Sequence, residues 1–126
     1  MQGQAEDHHR VTITGTLEVE IQPDGFTAKI LKRLRYDFGI FRVTVQAGWI
    51  TDWASVPRFF WRVFPPMGRH TRAAILHDYL YERRLGSRAI ADCLFHEVMK
   101  ADGCRWYHRW PMYLAVRLFG RRAWRT

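Results

Sequence analysis

An ionisable pair, His77 and Asp78, lies in the middle of an otherwise apolar segment of helical spacing, residues 72–81. The spacing predicts that His77 shares an inward-facing side of this helix with Leu80 and Tyr81. A histidine on such a face needs a hydrogen-bond partner for at least one ring nitrogen, and that partner sets its tautomer and its basicity. The segment therefore predicts either a catalytic histidine or a histidine that is simply hydrogen-bonded within the core.

The candidate partner is Asp92, early in the next predicted helix. Counting outwards from the turn near Gly86 places Asp92 within about one helical turn of the level of His77. We therefore expect a hydrogen bond between the two side chains across a helix hairpin. A carboxylate that orients a histidine produces a dyad suited to general-base activation of a water. The competing explanation is that Asp92 only favours the first turns of its helix through the macrodipole.

Asp78 lies about 100° round the helix from the histidine and points elsewhere. If the segment that begins at Thr51 folds back over the helices, Asp52 and Ser55 would approach Asp78. Such a cluster of carboxylates and an imidazole suits a hard cation such as calcium, magnesium or manganese, with Asp78 and Asp52 as its ligands. The simpler alternatives are that Asp52 caps a turn and that Asp78 pairs with an arginine, Arg72 or Arg83.

The elements that must position these residues differ between the two halves of the chain. Residues 11–50 alternate between apolar and polar side chains, with turn chemistry at residues 23–25 and a break at residues 36–39, which predicts an antiparallel meander of three or four strands. Residues 51–68 are rich in aromatic residues and proline and are expected to form a covered, irregular loop. The fold class is therefore α+β, with a helical half over residues 69–126.

Three helices are predicted in the helical half. The first runs from about Arg69 to Arg84, and the second from Arg88 to Ala101 with Ser87 as its N-cap. These two helices should form an antiparallel hairpin. Pro111 is placed in the first turn of the third helix, which ends at Phe119 and is followed by a basic tail.

The length of 126 residues and the net charge of +8 suit one domain, with a flexible stretch over residues 1–10 and a positive surface. We expect neither a transmembrane segment nor a signal peptide. Aromatic residues alternate with arginines near the C-terminus, which favours contact with an anionic membrane surface or, equally, a cap on the core. Nucleic acid is a less favoured partner, because the basic residues are dispersed and no nucleic-acid-binding motif is present.

Residues 40–124 resemble the phage- and prophage-associated family called domain of unknown function 1353. The resemblance rests on the loop TDWASVP at residues 51–57, on HDYLY at residues 77–81, and on Asp92 early in the following helix. It implies a phage or prophage origin, a location in the host cytoplasm or the virion, and other phage proteins as partners.

A second, local resemblance is to the active-site helix of phospholipase A2. His77, Asp78 and Tyr81 keep the spacing of its catalytic histidine, calcium-binding aspartate and tyrosine, and Asp92 corresponds to the carboxylate that orients the histidine. The glycine-rich calcium loop and the disulfide framework of the secreted enzymes are missing. This resemblance implies His77, Asp92 and Tyr81 as catalytic residues of a lipid-directed, esterase-like or metal-dependent hydrolase. The alternative is a non-catalytic virion, tail or assembly component whose histidine and aspartates are structural.

Overall fold

The computed structural model describes residues 11–53, residue 55 and residues 68–125. The chain separates into two compact units, Met1–Ile50 and Thr51–Thr126. The first contains strands and the second contains helices, which confirms the α+β class. Within the described ranges, no helix is both long enough and apolar enough to cross a membrane.

The first unit is built from short strands: β1 (Thr12–Thr14), β2 (Val19–Ile21), β3 (Ala28–Ile30), β4 (Leu34–Asp37), β5 (Arg42–Val45) and β6, which spans Ile50–Thr51 at the boundary. They form two three-stranded sheets, with the orders β1-β4-β5 and β2-β3-β6. The expected meander is therefore divided, because β1 pairs with β4 and the hairpin of β2 and β3 is inserted between them.

A glycine permits the close approach of β1 to the chain that leads into β4. Gly15 follows β1 with φ of 116°, and a Cβ atom there would lie 2.6 Å from the carbonyl oxygen of Arg33. A larger residue would have both backbone strain and a steric clash at this point. Side chains then alternate along β4, where Leu34 and Tyr36 are fully buried while Arg35 is exposed.

One of the two predicted chain reversals in this unit is confirmed, at residues 23–25. The other, predicted at residues 36–39, occurs later in the chain. Asp24 Oδ1 accepts hydrogen bonds from the backbone N–H groups of Phe26 and Thr27 at 2.8 and 2.9 Å. The predicted break at residues 36–39 lies two residues too early, because Tyr36 and Asp37 belong to β4. The reversal follows them, and the N–H of Phe38 donates to the carbonyl oxygen of Phe41.

Among its described residues, the second unit contains four helices: α1 (Thr71–Arg83), α2 (Arg88–Ala101), α3 (Trp106–Phe119) and the short α4 (Arg121–Arg125). The bounds of α2 and its N-cap agree with the prediction, and the Ser87 hydroxyl accepts from the N–H of Ile90 at 3.1 Å. Helix α1 is followed by Arg84, its C-cap, which adopts a left-handed conformation, and Gly86 at φ of 71° completes the turn. Helices α1 and α2 pack against each other as the expected hairpin.

The prediction for Pro111 is wrong, because α3 begins at Trp106 and Pro111 lies inside it. The N–H groups of His108 and Arg109 already donate to the carbonyl oxygen of Arg105, so the first turn forms ahead of the proline. Pro111 has no N–H to donate to the carbonyl of Tyr107, which weakens the helix locally. Burial of Met112, Ala115 and Val116 on one face holds the helix in place.

Candidate functional site

Helix α1 presents His77 and Tyr81 one turn apart on its buried face. His77 is fully buried and Tyr81 is 2% exposed. Asp92 lies in the first half of α2 and is also fully buried. The two helices thus place an imidazole, a phenol and a carboxylate together inside the second unit.

The predicted hydrogen bond between His77 and Asp92 is confirmed, with 2.6 Å between His77 Nε2 and Asp92 Oδ1. Tyr81 donates its hydroxyl proton to the same carboxylate oxygen at 2.5 Å. Tyr81 and His77 are therefore bonded to one and the same carboxylate oxygen. The catalytic roles of the three residues remain predictions.

Two arginines approach the other oxygen of the Asp92 carboxylate. Arg117 Nη1, from α3, lies 2.8 Å from Asp92 Oδ2, and Arg88 Nη1, one turn before Asp92, lies 3.7 Å from it. Burial alone would raise the pKa of Asp92, but hydrogen bonds from His77, Tyr81 and Arg117 outweigh it and hold the pKa below its usual range. Asp92 is therefore an anion at neutral pH.

The second ring nitrogen of His77 faces Ser55, with 2.9 Å between Nδ1 and the Ser55 hydroxyl oxygen. Burial lowers the pKa of His77 despite the opposing effect of Asp92, so the ring is neutral at pH 7. The Asp92 anion can only accept a hydrogen bond, so the single ring proton must reside on Nε2. The lone pair of Nδ1 then accepts the hydroxyl proton of Ser55.

Asp78 holds the backbone of Ser55 in place. Its Oδ1 accepts from the Ser55 N–H at 3.0 Å, and its Oδ2 accepts from the Thr51 hydroxyl. The Thr51 oxygen in turn accepts from the N–H of Trp53 at 3.1 Å. Trp53 is buried at φ of 60°, a conformation that costs a bulky residue free energy and so marks a strongly constrained loop.

Asp78 differs from Asp92 in the direction of its pKa shift. Burial raises the pKa of Asp78 to about 6, the hydrogen bond from Thr51 opposes the rise, and the nearby charge of Asp52 adds to it. Among the described residues, Arg72 pairs with Asp102 and Arg83 lies over the ring of Tyr79, whereas Asp78 accepts from Thr51 and Ser55.

The cation site predicted at Asp78 and Asp52 remains a prediction. Among the residues that the structure describes, no group of three or more histidine, cysteine, aspartate or glutamate side chains could hold a metal ion. Both carboxylate oxygens of Asp78 already accept hydrogen bonds from Thr51 and Ser55. Ser55 therefore reaches Asp78, as expected if its segment folds back, and both donors to the carboxylate, from Thr51 and Ser55, are neutral.

Two contributors to the site were missed at the level of sequence. The spacing of Arg88, four residues before Asp92, is a helical ion-pair signal that could have indicated it. Arg117 gave no such signal, because its contact joins α3 to α2 over a long sequence separation. Its guanidinium donates to the Asp92 carboxylate.

The residues of this network fall within a known family. The family described as protein of unknown function DUF1353 matches residues 28–116. The chain belongs to this family. The matched range of the DUF1353 domain includes Ser55, His77, Tyr81 and Asp92 and ends one residue before Arg117.

The DUF1353 chain is also similar to a curated protein, the uncharacterized protein y4jT of Sinorhizobium fredii (strain NBRC 101917 / NGR234). The two are 31% identical over 78 residues, which is 60% of this chain and 23% of the relative. The match thus spans about a quarter of the relative's length. No solved structure matches the chain.

Proposed function

We propose that this DUF1353 protein is an esterase-like hydrolase in which Ser55 is the nucleophile and His77 is its general base. The observation that carries the proposal is the hydrogen-bonded series from the Ser55 hydroxyl through both nitrogens of His77 to Asp92. A nucleophile bonded to a base that a third group orients is the arrangement that recurs in serine hydrolases on unrelated folds.

In the first step, Ser55 Oγ attacks the carbonyl carbon of an ester while its proton passes to His77 Nδ1. The resulting imidazolium is stabilised by the Asp92 anion at Nε2. His77 then protonates the departing alcohol, leaving an acyl group on Ser55. Water, deprotonated by His77, releases the acid and restores the serine, so protons and electron pairs balance over the cycle.

The residues around Asp92 act through it. Tyr81 and Arg117 donate to its two oxygens, which keeps the carboxylate charged and fixed in orientation. These are positioning roles, since neither contact involves the serine or Nδ1. The same tyrosine, histidine and carboxylate support the esterase-like class that the phospholipase A2 resemblance implies, with the Ser55 hydroxyl facing the basic nitrogen.

A fluorophosphonate ester tests the proposal, because it forms a covalent adduct with an activated serine. The chain has two serines, and Ser87 is an internal control: it is exposed and its hydroxyl caps α2. We expect an adduct on Ser55 and none on Ser87 by peptide mass spectrometry, with labelling lost in His77→Gln. Labelling of neither serine in a folded protein would contradict the nucleophile assignment.

The second candidate function is a non-catalytic component of a phage virion or its assembly, in which the network only stabilises the fold. The depth of the network favours it, since Ser55 is 1% exposed and His77 and Asp92 are fully buried. Buried polar networks that are fully hydrogen-bonded commonly specify a unique core. In that case Ser55→Ala would reduce thermal stability and the wild-type serine would resist the fluorophosphonate.

A further inference from the structure

Helix α3 has apolar side chains on two opposite faces. One face, with Met112, Ala115 and Val116, is buried. The other carries an outer stripe at intervals of four residues, and its members are 45% to 71% exposed: Trp106, Trp110, Leu114 and Leu118. Residues four apart on a helix lie one above the other, so these side chains form a continuous strip along its outer side.

Such a strip is unusual on a helix that already has a buried face. An amphipathic helix normally has polar residues opposite its core-facing side, and a helix that is apolar all round is normally buried all round. Contiguous exposed apolar surface marks an interaction site. The outer stripe therefore points to an interaction with an apolar surface.

The charge around the outer stripe limits what that partner can be. From residue 103 to the C-terminus, the chain contains six arginines and neither aspartate nor glutamate. Arg109 and Arg117 turn inwards, to His96 and Asp92. Arg105, Arg121 and Arg122 are exposed at the two ends of the helix. The surface thus combines apolar side chains with positive charge that no acidic residue of the same segment neutralises.

We infer that the outer stripe of α3 lies in the interface of an anionic lipid bilayer. Indole rings suit the boundary between headgroups and acyl chains, where one edge is apolar and the N–H stays hydrated. Leu114 and Leu118 would enter the acyl region, and Arg121 and Arg122 would contact anionic headgroups. The inference rests on the surface alone and does not depend on the proposed hydrolysis.

The test is co-sedimentation of the full chain with vesicles of equal parts phosphatidylcholine and phosphatidylglycerol, compared with phosphatidylcholine alone. We expect binding to the anionic vesicles that weakens as salt rises from about 0.1 M to about 1 M. Trp110→Ser and Leu118→Ser should each lower the partition coefficient about tenfold. Arg121→Gln and Arg122→Gln should each lower it about fivefold.

Matched controls come from exposed residues outside α3. Ile40→Ser, at an isoleucine that is 89% exposed, and Arg33→Gln should leave the partition coefficient unchanged. Circular dichroism should show that all variants fold, since every changed side chain is exposed. Equal loss in the control variants, or no binding to anionic vesicles, would overturn the inference. So would sedimentation equilibrium showing a dimer that Leu118→Ser dissociates, because the partner would then be a second copy of the chain.

Discussion

The two buried aspartates of the site, Asp92 and Asp78, lie at opposite ends of one hydrogen-bonded series, and their pKa values are shifted in opposite directions. Asp92 accepts from a histidine, a tyrosine and a guanidinium, and its pKa lies below its usual range. Asp78 accepts from a hydroxyl and a backbone N–H, both neutral, and burial raises its pKa to about 6. Burial disfavours both anions, and only Asp92 has a cationic donor that compensates for it.

Because of this difference in pKa, Asp92 and Asp78 have different roles in the proposed site. The Asp92 end holds a permanent negative charge beside His77 Nε2, as stabilisation of an imidazolium requires. The Asp78 end fixes the position of Ser55 and gains or loses a proton near neutral pH. The comparison predicts that changes at Asp92 affect chemistry and stability at every pH, whereas changes at Asp78 affect mainly the pH dependence of stability.

The largest effect is expected for Asp92→Asn. Loss of the charge should lower the hydrolysis rate of an activated ester about 10⁴-fold, by analogy with the serine-protease aspartate, because the wrong histidine tautomer becomes favoured. It should also lower the free energy of unfolding by about 3 kcal/mol, since Arg117 and Arg88 lose a buried counter-ion. Initial rates and urea denaturation measure both effects.

Asp37→Asn is the control for this substitution. Asp37 pairs with Arg42 at the surface, with their side chains 39% and 59% exposed, so its removal should change neither quantity appreciably. Equal rates for wild type and Asp92→Asn would show that the aspartate has no part in the chemistry.

The next largest effect concerns the pH dependence of stability and Asp78→Asn. Because the pKa of Asp78 is about 6 in the folded state and its ordinary value is 3.8, the folded state binds this proton more tightly. Its contribution to stability is therefore full below pH about 4 and is lost as the pH rises to about 6, a decrease of about 3 kcal/mol. Asp78→Asn should remove this decrease.

The asparagine can keep both contacts of the aspartate. Its carbonyl oxygen would accept from the Ser55 N–H, and its amide would donate to the Thr51 hydroxyl, which can act as an acceptor. Chemical denaturation at pH 4, 5, 6 and 7 is the measurement. If the plots of unfolding free energy against pH for wild type and variant run parallel over this range, the pKa of Asp78 is not raised by folding, and the prediction is wrong.

The smallest effect is expected for Arg117→Gln. A hydrogen bond to a charged group is worth about 2 kcal/mol when buried. The Arg117 side chain is 34% exposed, so solvent screening should reduce the loss to about 1 kcal/mol. Arg121→Gln, at an exposed arginine two residues beyond α3, should cost less than about 0.5 kcal/mol. The measurement is the denaturation midpoint of each variant. Equal midpoints would show that the contact of Arg117 with Asp92 does not stabilise the fold.

Sequence pattern predicted the parts of the site that depend on local periodicity. The Asp92 contact followed from the helical spacing of His77 and the short turn at Gly86. The contacts of Ser55 with His77 and Asp78 could be predicted only on the condition that its segment folds back over the helices. The local sequence around Ser55 does not indicate the direction in which that segment runs. Arg117 could not be placed, since its guanidinium reaches α2 only once α3 has packed.

The same distinction holds for the fold. The bounds of α2 follow from its cap and its apolar face, which are local features. The predicted start of α3 is wrong. Tertiary burial of Met112 and Val116 outweighs the local preference of Pro111 for the first turn of a helix. Strands β1 and β4 pair although the hairpin of β2 and β3 lies between them in the sequence. Their pairing requires a close approach of the backbone at Gly15, which the periodicity of the strands does not predict.

The proposed hydrolysis depends on a neutral His77, with its proton on Nε2 and its Nδ1 lone pair directed at the Ser55 hydroxyl. Nitrogen-15 spectra of the histidine side chains, assigned with His77→Gln, test it directly. We expect His77 to show a protonated Nε2 and an unprotonated Nδ1 from pH 8 to below its ordinary pKa of 6.5, because burial lowers that pKa. A proton on Nδ1, or an imidazolium at pH 7, would leave Ser55 without a base and would contradict its role as the nucleophile.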